Sequence, residues 1–173
     1  MSSPAGEAPL MHVMHELVVQ SRIAVHPEAL WNEQSIATVN FELGPWIWMS
    51  APATWQGVKL KDWDGQRRLF TSWVLLLRIL PLDRHAFGTL DLSQPLSFVE
   101  HSSSWMNHRW RHERHARAVP GGCEVTDRVS FTPRIPLLAP LLKAIYLAVF
   151  RHRHARLRAR HGALVEPSSK HQG

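Results

Sequence analysis

The chain has 173 residues, 45% of them hydrophobic, enough for one domain with a sizeable core. Lys and Arg total 20 against 14 Asp and Glu, a formal charge of +6, with 12 histidines to add charge below neutrality; this balance permits nucleic acid, anionic membrane or acidic partners and requires none. The lone Cys123 excludes an internal disulfide and fits a reducing, cytoplasmic setting.

Residues 1–10 lack a basic n-region and an apolar h-region, so they read as a disordered leader rather than a secretory signal. Residues 11–24 alternate loosely, with Val13, Val18, Val19 and Ile23 among polar positions, and read as a first long strand. Pro27 suits the first position of a helix, where its fixed φ helps and its missing N–H is not needed, so a short helix opens at 27–31. A second short helix over 39–43 stops at Gly44-Pro45.

Residues 45–52 form a short second strand. The stretch 54–68, with Trp55 and Trp63 amid Gly, Lys and Asp, is a loop acting as a lid or as a plug at the core's edge. Residues 69–80 are the most β-like run, and their near-continuous apolarity implies burial on both faces or a helix packed on one. A turn at 81–84 precedes strands at 85–92 and 96–103.

Two alternating runs then face each other across Pro120-Gly121-Gly122, which marks a hairpin from 104 to 132. Side chains alternate faces along a strand. Cys123, Val125, Asp127, Val129 and Phe131 therefore share the inner face of the return strand. Met106, His108, Trp110 and His112 share that of the outgoing strand, leaving Asn107, Arg109, Arg111 and Glu113 outside. A turn closing tightly on Pro120-Gly121 sets Asp127 opposite Arg114 and diagonal to His112.

Beyond Pro136 the period changes. Leu138, Leu141, Leu142, Ile145, Val149 and His152 recur at helical spacing, so 137–161 reads as one long amphipathic helix ended by Gly162. Its last turns carry Arg151, Arg153, Arg156, Arg158 and Arg160. This basic run is either a solvated helix end favoured by the helix dipole or a peripheral contact for an anionic membrane. The domain thus spans 11–162, followed by a disordered tail at 163–173. Its apolar stretch at 135–150 is too short and too interrupted to cross a bilayer.

The element order β-α-α-β(meander)-α resembles the SRPBCC superfamily, which contains START domains, the birch-pollen allergen family, polyketide cyclases/aromatases and ubiquinone-binding proteins. The residues that carry the likeness are Pro27-Glu28-Ala29-Leu30-Trp31, Phe98-Val99-Glu100-His101, Trp110-Arg111-His112-Glu113, the strand Gly122 to Val129, and the segment Phe150 to Leu157. More narrowly, the chain is similar to bacterial SRPBCC proteins with a Trp-x-His element followed by a Gly-Gly-x-x-x-Thr-Asp-Arg strand. The resemblance implies an α+β helix-grip (Bet v 1-like) fold: a curved antiparallel sheet of about seven strands around a long C-terminal helix, with two short helices after the first strand. It also implies an interior cavity.

The inner faces propose a site. An inward His112 oriented by Asp127 would serve as a general base or hold a ligand head group, or the two form a structural pair with Arg114. Glu100 shares strand parity with Phe98 and enters the cavity or sits exposed at a strand end. The expected lining is Trp73, Leu75, Phe98, Trp110, Val129, Phe131, Leu141 and Ile145, with Glu100, His112 and Asp127 as polar contacts. The ligand is then a small hydrophobic or amphipathic molecule, lipid-, polyketide- or quinone-like. The alternative is a cyclase, dehydratase or hydrolase using His112 and Asp127.

No cofactor or metal is expected, since the histidines lack metal-ligand spacing. Nucleic acid is not expected either, because Trp110 points away from Arg109 and Arg111 and stacking platforms need aromatics and cations on one surface. The chain is expected to act as a monomer or homodimer.

Overall fold

The computed structural model describes residues 13–164. The leader predicted at 1–10 and the tail beyond 164 lie outside the described residues. Its elements are β1 (His15–Ile23), α1 (Pro27–Glu33), α2 (Ile36–Leu43), β2 (Ile47–Met49), β3 (Thr71–Leu76), β4 (Leu80–Asp91), β5 (Ser97–Ser104), β6 (Asn107–Val119), β7 (Gly122–Pro133) and α3 (Ala139–His161). The described strands form one antiparallel sheet in the order β1-β7-β6-β5-β4-β3-β2. Curled about α3, this sheet makes a helix-grip fold. Among the described residues no helix is long and apolar enough to cross a membrane.

Local chemistry places the two small helices. Pro27 opens α1 at its first turn. A reciprocal cap opens α2: the Thr38 N–H donates to Ser35 Oγ, and the Ser35 N–H donates to Thr38 Oγ1 at 2.8 Å. The cap starts α2 three residues before the predicted position 39. Asn40 then ties the helix to β2, donating to the Met49 carbonyl at 2.9 Å and accepting the Met49 N–H at 2.7 Å.

Two turns differ from the sequence reading. The apolar run 69–80 is broken near its end by a tight turn, Leu76–Ile79, and Pro81 to Arg84 lie inside β4 instead of forming the turn. Leu77 and Arg78 both adopt positive φ, as in primed hairpin turns, but neither is the Gly or Asn that usually marks one. Ala163 also pairs with Ile23, and the Leu164 N–H donates to the Arg22 carbonyl, so paired backbone runs past the boundary predicted at 162.

The β6–β7 hairpin has the expected register, with Val119 opposite Gly122 and Arg114 opposite Asp127. Its start does not. A bulge between Asn107 and Arg109 turns Asn107 into the interior and leaves His108 exposed, reversing the faces expected for those two residues. A second bulge, between Ala86 and Thr89, bends β4 at Gly88, where a Cβ would sit 2.2 Å from the His101 carbonyl oxygen.

Helix α3 buries Ala139, Leu142, Phe150, Arg153, His154 and Leu157. The face expected from hydrophobicity is therefore rotated, and Leu138, Leu141 and Ile145 are exposed. The reason is that the buried stripe itself contains an arginine and a histidine, which an apolar pattern rejects. The loop at 54–68 acts as a plug: Trp55 and Trp63 pack against Phe70 and one another in the aromatic cluster that includes Phe87 and Phe98.

Candidate functional site

The inner row of β6 reads Asn107, Trp110, His112, Arg114, Ala116, and each position meets a different environment. Ala116 packs in a solid core with Ile23, Leu30, Cys123, Val125 and Leu157. Arg114 sits in a buried ionic network. His112, Trp110 and Asn107 line a cavity of about 280 Å³ between the sheet, α2 and α3. Its apolar wall includes Ile36, Val39, Leu43, Val74, Phe87, Phe98, Leu142, Val149 and Phe150. Leu82, Met106 and Ile145 line it and are exposed, which places the mouth at the Asn107 end.

The ionic network closes the other end. Arg114 donates to both oxygens of Glu42 at 2.9 Å, to both oxygens of Asp127 at 2.8 Å, and to Gln34 Oε1 at 3.2 Å, so all five of its N–H groups are used. Glu42 also accepts from Arg153 Nε and Nη2 at 3.0 and 2.7 Å. Asp127 takes further hydrogen bonds from His112 Nε2 and His154 Nε2, each at 2.9 Å. His154 Nδ1 in turn pairs with Ser21 Oγ, which accepts from Arg158. The groups come from β1, α2, β6, β7 and α3, so the network locks these elements together.

Electrostatics assigns the protons. Burial raises the Asp127 carboxyl, but Arg114, His112 and His154 outweigh it and hold it well below the usual carboxylate range. Burial likewise works against Glu42, and Arg114 and Arg153 overcome it. Both carboxylates are ionised and fully accepted, so neither moves a proton. Facing an ionised Asp127, His112 Nε2 carries the hydrogen, and burial pushes the ring's pKa down so that it stays neutral. His112 Nδ1 is then an unprotonated lone pair, 3.9 Å from Glu100 Oε2. Glu100 Oε1 accepts from His85 Nε2 at 2.7 Å and from Ser102 Oγ. Burial opposes ionisation of Glu100, but His85, with the Ser102 hydroxyl, lowers its pKa overall. This end of the cavity thus offers two acceptors, His112 Nδ1 and Glu100 Oε2.

Of the expected site residues, Phe98, Glu100, Trp110, His112 and Ile145 line the cavity. Asp127 does not, standing one hydrogen bond behind His112. Val129 and Phe131 are fully buried in the solid cluster of Leu17, Leu142 and Phe150. Trp73 lies on the outer face, edge-on to Trp105 at 5.0 Å, and Val74 faces the cavity in its place; Leu75 does not line it either. Leu141 points outward and its neighbour Leu142 points in. Arg153, His154 and Asn107 carry no site signal in the sequence, because a charged helix stripe and a bulge leave no periodic pattern.

The basic run of α3 is mostly held within the fold. Arg153 pairs with Glu42, Arg158 donates to Ser21, Arg156 and Arg160 lie over the Phe41 ring, and Arg160 pairs with Glu33. Arg151 and Arg160 are exposed on this end of the helix. On the outer face of the sheet a larger concavity of about 620 Å³, with Arg68, Gly88, His101 and Arg111 in its lining, is open and carries no buried ionic group. The smaller cavity is the one lined by buried ionisable groups, Glu100, His112 and Arg153. Among the described residues no group of three or more His, Cys, Asp or Glu side chains is arranged to hold a metal ion.

Known structures share this architecture. A Chromobacterium violaceum protein aligns with a TM-score of 0.60 at 11% identity, over 86% of this chain and 98% of its own. A START superfamily protein from Mycobacterium smegmatis gives 0.55 at 8% identity, over 86% and 96%. The Zhui aromatase/cyclase from Streptomyces sp. R1128 gives 0.52 at 12%, over 86% and 93%. At such identities the likeness establishes the fold and not an activity. No curated protein matches the chain. The family described as Domain of unknown function (DUF8410) matches residues 21–161, and the chain belongs to it.

Proposed function

We propose that this protein binds a small hydrophobic or amphipathic molecule in the cavity between its sheet and α3. The observation that carries the reading is an apolar chamber of about 280 Å³ with an exposed apolar mouth and a polar inner end made by His112 and Glu100. Ligand sites are mostly apolar with a few placed polar groups, and this volume lies at their small end. The fold neighbours include a START superfamily protein and an aromatase/cyclase, which favours a lipid-, polyketide- or quinone-like ligand. A cytoplasmic setting belongs to the same reading, supported by the single, buried, unpaired Cys123.

Native mass spectrometry of the purified protein, before and after solvent extraction, tests this. A mass lost on extraction is expected. A protein that carries nothing and also ignores naphthols, fatty acids and quinones overturns the reading.

One observation favours a second reading, an enzyme acting on the same class of molecule. Asp127 fixes His112 in the tautomer whose Nδ1 lone pair is free to accept a proton, the arrangement of a general base with an orienting carboxylate. In that role Asp127 positions and does not itself transfer protons. An enzyme would change the mass of an added ligand, and His112→Ala would abolish the change while binding persists. A binding protein returns the ligand intact.

A further inference from the structure

We infer that the cavity-mouth end of this protein docks on an anionic lipid surface, with the β3–β4 turn and the first turns of α3 entering the apolar layer. The surface lies outside the cavity, and the inference rests on the binding function proposed above for what docking accomplishes: a lipid-like ligand passes between the layer and the cavity without crossing water.

Large apolar side chains stand in water at this end. At the β3–β4 turn Leu77, Ile79 and Leu80 are exposed, Ile79 by 80%. Leu137, in the turn that leads into α3, is 88% exposed. Leu138, Leu141 and Ile145 then recur at three- and four-residue spacing on the exposed side of the helix, while Ala139 and Leu142 between them face inward. The core therefore does not use this stripe. Strand register brings the two clusters together: Ile47 pairs with Leu76, His85 with Ser104, and Asn107 with Pro133. The β3–β4 turn, the β5–β6 turn and the lead-in to α3 thus project from the sheet in one direction, around the mouth framed by Leu82, Met106 and Ile145. Soluble proteins usually scatter such side chains singly, and a grouped set marks a contact surface.

Charge and aromatic placement favour lipid as the occupant. Residues 73–84, 105–109 and 134–146 carry Arg78, Arg84, Arg109, Arg134 and Lys143 against one carboxylate, Asp83, where the whole chain has 20 cations to 14 acids. Asp83 is half-buried and accepts the N–H groups of Arg84 and Met106. Arg78 and Arg84 lie over the Trp48 and Trp73 rings, and Arg134 donates to the Ser104 carbonyl, contacts that leave the positive charge uncancelled. Lys and Arg stems can lie along an apolar layer while their charged heads reach anionic headgroups. Trp46 and Trp105 are exposed at the same end, and indole rings settle at the headgroup level of a bilayer. Aliphatic tips inside a ring of cations and indoles match the layers of an anionic bilayer in order.

Co-sedimentation of the full chain with vesicles of phosphatidylcholine and phosphatidylglycerol, against phosphatidylcholine alone, tests this. Binding is expected to the mixed vesicles, and Ile79→Asp with Leu137→Asp should weaken it by about tenfold or more. Both side chains stand in water in the free protein, so the melting temperature should hold. Ile79→Cys carrying an environment-sensitive fluorophore gives a readout without added charge; Cys123 is fully buried and escapes the label. Its emission should move to the blue on mixed vesicles, while the same probe at Ala159→Cys, near the basic end of α3, should not respond. Protein left in the supernatant with both vesicle types overturns the inference, as does a response at Ala159 without one at Ile79. Self-association that the two aspartates abolish, with no vesicle binding, assigns the patch to a second copy and overturns it too. In each case a ligand released by solvent extraction leaves the binding function intact, and its absence as well overturns both.

Discussion

Asp127 accepts four hydrogen bonds, from Arg114 twice, His112 and His154, and this saturation defines its role. A buried charge deprived of one partner costs about 3–5 kcal/mol. Asp127→Asn should therefore lower the urea unfolding free energy by about that much, because Arg114 and the two imidazoles lose their common acceptor. The pH dependence follows from directions already established. His112 titrates below its ordinary 6.5 in the fold, so the unfolded chain binds that proton more tightly. Its contribution to stability is whole above 6.5 and is lost as pH falls through the folded value. Glu42, Glu100 and Asp127 are also depressed, from 4.5, 4.5 and 3.8, and their contributions disappear at lower pH still. A melting-temperature profile should be level near neutrality, decline first below 6.5, and fall steeply below 4.5. His112→Gln should shrink the first decline, to which His161 also contributes because burial lowers its pKa as well, and keep the second.

At the scale of elements, the strain sits in the β3–β4 turn. Leu77 holds φ 51° and Arg78 φ 67°, in the left-handed region that L side chains avoid. Left-handed backbone costs roughly 1–2 kcal/mol for most residues and much less for Asn or Gly. Leu77 is half exposed, so Leu77→Asn should raise stability by about 1 kcal/mol in chemical denaturation. Arg78 is the poorer position to change, since its guanidinium lies 4.1 Å from the centre of the Trp48 ring. The α3 face illustrates a different principle. Its inward stripe carries Arg153 and His154 because α2 offers Glu42 and β7 offers Asp127 to meet them, and tertiary partners override the apolar pattern.

For the molecule as a whole, one end of the grip is packed solid and ionic while the other stays open and apolar. Leu82, Met106 and Ile145 at the mouth are all exposed, and the β3–β4 hairpin extends the apolar rim with Leu80. Large side chains from α3 should therefore fill the chamber without disturbing the network behind it. Val149→Trp is expected to reduce binding of 2-naphthol at least tenfold while shifting the melting temperature by only a few degrees, measured by dialysis and calorimetry. If that substitution unfolds the protein instead, the chamber is already filled by protein atoms in solution.

Much of this was legible in the residues. Alternation along residues 123–131 and the Pro120-Gly121 turn set the hairpin register, and with it the meeting of Arg114, Asp127 and His112, because a two-residue period leaves few ways to pair two strands. The element order determined the helix-grip class. Only the tertiary structure decided which groups share the cavity. A single extra residue at the Asn107 bulge reverses side-chain direction, and a turn made by Leu77 and Arg78 bears no turn signature, so neither is visible to local pattern. The partnership of Glu42 with Arg114 and Arg153 joins residues 72 and 111 positions apart, and such pairing energy exists only once the chain has brought them together.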